Sequence, residues 1–128
     1  MKESKNDIIK EIEGLEIPPR AELERRIFHI LTSLGLRTSK KGFSYLQRAI
    51  LISIYEPETV QMISKDLYPR LAKEFKTNWS AVERAIRTSV MQMGYSEHEE
   101  EIFPVFDNDG RYTNKEFISY IAKYIVLN

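Results

Sequence analysis

Glu83, Arg84 and Arg87 are the side chains of this sequence best suited to reading a pattern of hydrogen-bond donors and acceptors. On a helix turning about 100° per residue, they share one side with Ser80 and Thr88. Val82, Ala85, Ile86, Ser89, Val90 and Met93 take the opposite side and are expected to be buried. The arginine fork matches the O6 and N7 acceptors of guanine, and glutamate can accept from cytosine N4. Long polar side chains on the exposed face of a helix are thus equipped for major-groove readout. Plainer roles are open to the same residues. Glu83 and Arg87 are four apart and suit a surface ion pair. Ser80 and Glu83 have capping-box spacing, which is a purely local role.

A helix-turn-helix would position these side chains. From Leu67 to Met93 the pattern is a short helix beginning near Tyr68-Pro69, a polar turn at Lys76-Thr77-Asn78, and a longer helix that would enter the groove. Helical periodicity runs through the rest of the chain. Ile8, Ile9, Ile12 and Leu15 form a short amphipathic stretch that Pro18-Pro19 ends. Leu23, Ile27, Ile30, Leu31 and Leu34 recur at three- and four-residue steps, with Gly35 where a C-terminal cap belongs. A linker containing Arg37, Thr38, Ser39 and Gly42 leads to a helix over roughly Phe43 to Tyr55. Its second half is apolar all round, the mark of a buried central helix. Pro57-Glu58 opens a further helix through Val60 and Ile63. The acidic stretch Tyr95 to Asp109 reads as an irregular helix and a loop. Thr113 and Glu116 have capping-box spacing at the head of a final helix through Ile125. The expected fold is all-α: a compact six-helix domain over 20–128 containing a helix-turn-helix, with residues 1–19 as a short N-terminal helix or arm.

Other chemistry is poorly supported. Placing Gly110 at position six of a calcium loop puts Glu116 at position twelve, but position one is then Val105, which supplies no carboxylate. A plain turn is the better reading. His29 and His98 lie on separate segments without a metal-ligand partner at usable spacing. Trp79 could stack on a sugar or base, although a core or boundary aromatic is the commoner role. No catalytic triad order or phosphate-binding glycine loop is present. The expectation is a protein that is not an enzyme, with no metal, cofactor or small-molecule substrate.

The 128 residues suffice for one domain with its own core. Hydrophobic residues at 42% and charged residues at 30% fit a soluble globular chain. Cysteine is absent, which excludes a disulfide framework. Neither a signal peptide nor a membrane span is evident, so a cytoplasmic location is expected. Net charge is zero, which opposes nucleic-acid binding, but the charge is unevenly placed. Between Gln61 and Met93, Lys65, Arg70, Lys73, Lys76, Arg84 and Arg87 face only Asp66, Glu74 and Glu83. The acidic excess lies at Glu97, Glu99, Glu100, Glu101, Asp107 and Asp109.

The stretch Val82-Glu83-Arg84-Ala85-Ile86-Arg87, preceded by Leu67-Tyr68-Pro69 and Leu71-Ala72-Lys73, resembles the C-terminal effector domain of the stage zero sporulation protein A family, bacterial response regulators of endospore formation. Lys41-Gly42-Phe43, Tyr45-Leu46, Ala49-Ile50, Thr113-Asn114 and Glu116-Phe117-Ile118 extend the likeness over roughly Leu23 to Ile125. The resemblance implies a transcription regulator that binds double-stranded DNA at a TGTCGAA-type promoter box. Glu83, Arg84 and Arg87 would read bases; Ser64, Lys65, Lys73, Lys76 and Ser80 would contact phosphates. It also implies self-association on DNA through the last helix, where Phe117, Ile118, Ile121, Tyr124 and Ile125 also suit ordinary packing. Departures are Trp79 and Ala81, where smaller and basic residues respectively are expected, an acidic Gly94–Tyr112 segment, and nothing before Arg20 long enough for a receiver domain. The alternative is a protein-interaction module that keeps the fold without binding DNA, which zero net charge and the acidic Glu97 to Glu101 run favour.

Overall fold

In a computed structural model, residues 17–94, 99–103 and 112–128 are described, and every regular element among them is helical. The expected all-α fold is borne out. The amphipathic stretch at Ile8–Leu15, His98 and the Asp107–Gly110 loop lie outside the described residues.

Helix α1 (Arg20–Ser33) buries Leu23, Ile27 and Leu31, a single stripe at four-residue spacing. It ends as expected at Gly35, whose φ of 90° belongs to the left-handed region. The Gly35 N–H donates to Thr32 O at 3.0 Å and the Leu36 N–H to Leu31 O at 3.1 Å, which together satisfy the last carbonyls of the helix.

Helix α2 (Lys41–Tyr55) is the central element and packs against α1 and the two long helices described below. Phe43, Leu46, Ala49, Ile50, Leu51, Ile52 and Ile54 are all buried, so its second half is enclosed on all sides as the sequence suggested. It starts two residues earlier than expected. Gly42 therefore belongs to its first turn rather than to a linker.

Helix α3 (Glu58–Gln61) is one turn long and is followed by a π-helical turn at Ile63–Leu67. Helix α4 (Tyr68–Glu74) continues directly, with Pro69 in its first turn. A proline ring crowds the carbonyl four residues back, here that of Lys65, and the wider π turn relieves that conflict. Helix α5 (Trp79–Met91) follows after a short turn. Helix α6 (Glu99–Ile102) is a single turn in the acidic stretch, and helix α7 (Asn114–Leu127) closes the fold.

The capping box expected at the head of α7 is present. Glu116 N–H donates to Thr113 Oγ1 at 3.1 Å, and Thr113 N–H donates to Glu116 Oε1 at 2.9 Å. Phe117, Ile118, Ile121 and Ile125 are buried, and Tyr124 is half-buried with its hydroxyl donating to Glu101 Oε2 at 3.0 Å. Most of the apolar surface of this helix is thus spent on packing.

Candidate nucleic-acid interface

Helices α4 and α5 and the turn between them form the expected helix-turn-helix. The turn closes α4 through a left-handed residue, Lys76, at φ 55°. Thr77 N–H donates back to Ala72 O at 2.8 Å and Lys76 N–H to Lys73 O at 3.4 Å. Asn78 then caps α5, its Oδ1 accepting from the Ala81 N–H at 2.9 Å.

The expected division of α5 into two faces is present. Val82, Ile86, Ser89 and Val90 are buried, while Ala85 and Met93 are half-buried. Ser80, Arg84, Arg87 and Thr88 are exposed, and Glu83 sits half-buried at the edge.

Two features hold this face in place. At Gly42 the backbones of α2 and α5 come so close that an added Cβ would lie 2.4 Å from Ala85 O and 2.1 Å from Ser89 Oγ. The second is Asn114, buried at the head of α7. Its Nδ2 donates to Tyr68 Oη at 2.9 Å and to Glu83 O at 3.2 Å, tying both helices of the motif to the last helix. Burial pushes the Tyr68 hydroxyl above its ordinary range, and the donation from Asn114 partly offsets this.

Among the candidate base readers, Glu83 and Arg87 are paired, with Nη1 at 2.8 Å from both carboxylate oxygens. An exposed pair four residues apart contributes only about 0.3–0.5 kcal/mol, whereas a bidentate arginine–guanine contact discriminates by ~1–3 kcal/mol. The pair is therefore weak enough to exchange for a stronger partner. Arg84 has no ion pair among the described residues.

Ser64 and Lys65 lie exposed on the π turn, Lys73 in the last turn of α4, and Lys76 in the turn itself. Among the described residues, none of these three lysines forms an ion pair, and none of the four is hydrogen-bonded to α5. Arg70, part of the same basic run, is otherwise engaged. Its guanidinium reaches Glu56 at 2.8 and 3.2 Å and Asp66 at 3.4 Å; hydrogen bonding to Glu56 holds its pKa above the ordinary range.

Two readings are corrected. The Ser80–Glu83 capping box does not form, because Asn78 is the cap and the third helical position is Ala81. Ser80 Oγ instead donates to Asn78 Oδ1 at 2.7 Å, and Glu83 turns to Arg87. Trp79 is not a core or boundary aromatic, being 54% exposed at the first position of α5. Asn78 and Asn114 are the site residues that the sequence reading missed. Asn78 carried a signal, since asparagine ranks among the best N-caps. Asn114 carried none, because its partners are 46 and 31 residues away.

Among the described residues, no group of three or more His, Cys, Asp or Glu could hold a metal ion, and no helix is long and apolar enough to cross a membrane. The chain matches the family model described as "Sporulation initiation factor Spo0A C terminal" over residues 27–125, more than half of its length. The chain belongs to this family of DNA-binding effector domains of sporulation response regulators.

Proposed function

We propose that this member of the sporulation effector family is a sequence-specific transcription regulator that reads a TGTCGAA-type promoter box through the major groove. The observation that carries this reading is the exposed face of α5, where Arg84, without an ion pair among the described residues, stands beside the exchangeable Glu83–Arg87 pair. Arg84 and Arg87 would contact guanine edges and Glu83 a cytosine amino group. Ser64, Lys65, Lys73 and Lys76 would contact phosphates, with Ser80 contributing if its hydroxyl leaves Asn78. The binding unit would span residues 20–128, with 1–19 as an arm. The protein would act in the cytoplasm and self-associate on DNA through what α7 leaves exposed, including Lys123 and Leu127.

The test is fluorescence anisotropy of labelled duplexes carrying the box or a scrambled sequence, over a range of salt concentrations. Tighter binding to the box, weakening steeply with salt, is the expected result. Equal affinity for both duplexes would remove the sequence-reading claim.

A second reading, a protein-interaction module, draws on zero net charge and on the mutual satisfaction of Glu83 and Arg87. Its signature is a partner complex that survives Arg84→Ala and Arg87→Ala, in a chain that binds neither duplex at low salt.

A further inference from the structure

Trp79 occupies the first position of α5, directly after the Asn78 cap, and is 54% exposed. Among the described residues it has no aromatic partner. Phe75, the nearby large apolar side chain at the other end of the turn, packs edge-on against Tyr45 with ring centroids 4.9 Å apart. An indole left in water at the head of a helix contributes little to the fold, so its placement calls for a different explanation.

Its position along α5 supplies one. Trp79, Glu83 and Arg87 succeed one another at four-residue steps and form one row along the helix surface, with neighbouring Cβ atoms about 5–6 Å apart. Helical side chains lean toward the N-terminus, so Glu83 and Arg87 incline toward the indole. The segment leading into α5 carries cations. Lys73, in the last turn of α4, and Lys76, in the turn, are exposed and form no ion pair among the described residues, while Glu74 is taken up by Arg48 at 2.8 Å. The positive end of the α5 dipole points the same way. An exposed apolar plate that follows a turn carrying exposed cations matches a DNA strand, where anionic phosphates alternate with apolar deoxyribose faces and thymine methyl groups.

We propose that Trp79 is a DNA-contact residue of this protein: its indole lies on the sugar–base edge of the strand bordering the bases read by Glu83 and Arg87, while Lys76 holds the adjoining phosphate. This inference rests on the DNA-reading function proposed above and extends the reading row by one helical turn.

Trp79 is the only tryptophan of the chain, so its fluorescence reports this position alone. The 128-residue protein is titrated with an unlabelled TGTCGAA duplex while acrylamide quenching of the indole is recorded, and binding is followed in parallel by anisotropy of a labelled duplex. At saturation the indole is expected to be shielded from acrylamide. Trp79→Ala, at an exposed position that leaves the core intact, is expected to lose about tenfold in affinity, and Trp79→Phe to keep most of it. Circular dichroism of both variants checks that they fold. If the labelled duplex binds while Trp79 stays fully quenchable and Trp79→Ala binds as the parent does, the indole contact is overturned and the DNA reading stands. Absence of binding to either duplex at low salt overturns both. Shielding that rises with protein concentration in the absence of DNA assigns the surface to a second copy of the chain, and also overturns the contact.

Discussion

The Asn114 amide donates to the Tyr68 hydroxyl across 2.9 Å, joining the head of the last helix to the first helix of the helix-turn-helix. The same amide nitrogen reaches the Glu83 carbonyl in the recognition helix. One buried side chain thus links all three helices, two of the helix-turn-helix and the last one. A helix that makes bidentate contacts must be held to a fraction of an ångström, and the last helix, 22 residues further along the chain, reaches it only through packing and this hydrogen bond.

Removing this link should be costly. Asn114→Ala leaves the Glu83 carbonyl and the Tyr68 hydroxyl without that donor and is expected to destabilise the fold by about 1–3 kcal/mol in urea unfolding. In a double-mutant cycle, Asn114→Ala and Tyr68→Phe should show a coupling energy of about 1 kcal/mol. Strict additivity of the two changes would show that the hydrogen bond contributes nothing.

Tyr68, Tyr112 and Tyr124 all have pKa values raised above the ordinary 10.0. Burial is the main cause for Tyr68 and Tyr112, and the hydrogen bond to Glu101 is the main cause for Tyr124. In each case the fold favours the neutral phenol. The stability this supplies is fully present below pH 10.0 and is lost as the pH rises through the higher folded values, because the unfolded chain ionises first. Urea unfolding midpoints should fall as the pH is taken above 10.0, and native Tyr68, Tyr112 and Tyr124 should ionise later than in the unfolded chain. Coincident ionisation of native and unfolded protein would contradict the assignment.

Lys76 carries opposing demands. Its left-handed backbone costs an L-residue about 1–2 kcal/mol, and glycine would avoid most of that strain. Lys76→Gly is therefore expected to stabilise the fold by roughly 0.5–1 kcal/mol, net of the freedom glycine regains on unfolding. The same change should weaken binding to box and scrambled duplexes alike and reduce the salt slope by about one. A variant that gains stability with an unchanged salt slope would remove Lys76 from the phosphate contacts.

Much of this architecture was legible in the residues themselves. The stripe Leu23, Ile27, Leu31, the all-round apolar half of α2, the Gly35 cap and the Thr113–Glu116 box are local patterns, set by the helical period and the chemistry of helix ends. The division of α5 into an exposed polar face and a packing face followed from the same period. What escaped depends on distant neighbours. Gly42 looked like a linker residue because only Ala85 and Ser89, more than forty positions later, show why a side chain is excluded there. Trp79 looked like a boundary aromatic because its composition favours burial, and only its position beyond the end of the packed stripe leaves it in solvent. Ser80 was offered the cap by its spacing to Glu83, and Asn78, two residues earlier, took it.

The central claim is that Arg84 reads a base, and it is tested most directly by the specificity ratio. Affinities of the parent protein and Arg84→Ala are measured by anisotropy on box and scrambled duplexes at one fixed salt concentration. Arg84→Ala is expected to lose about 1–3 kcal/mol on the box and little on the scrambled duplex, so that the ratio collapses. Equal losses on both duplexes would make Arg84 a phosphate contact and contradict its role as a reader.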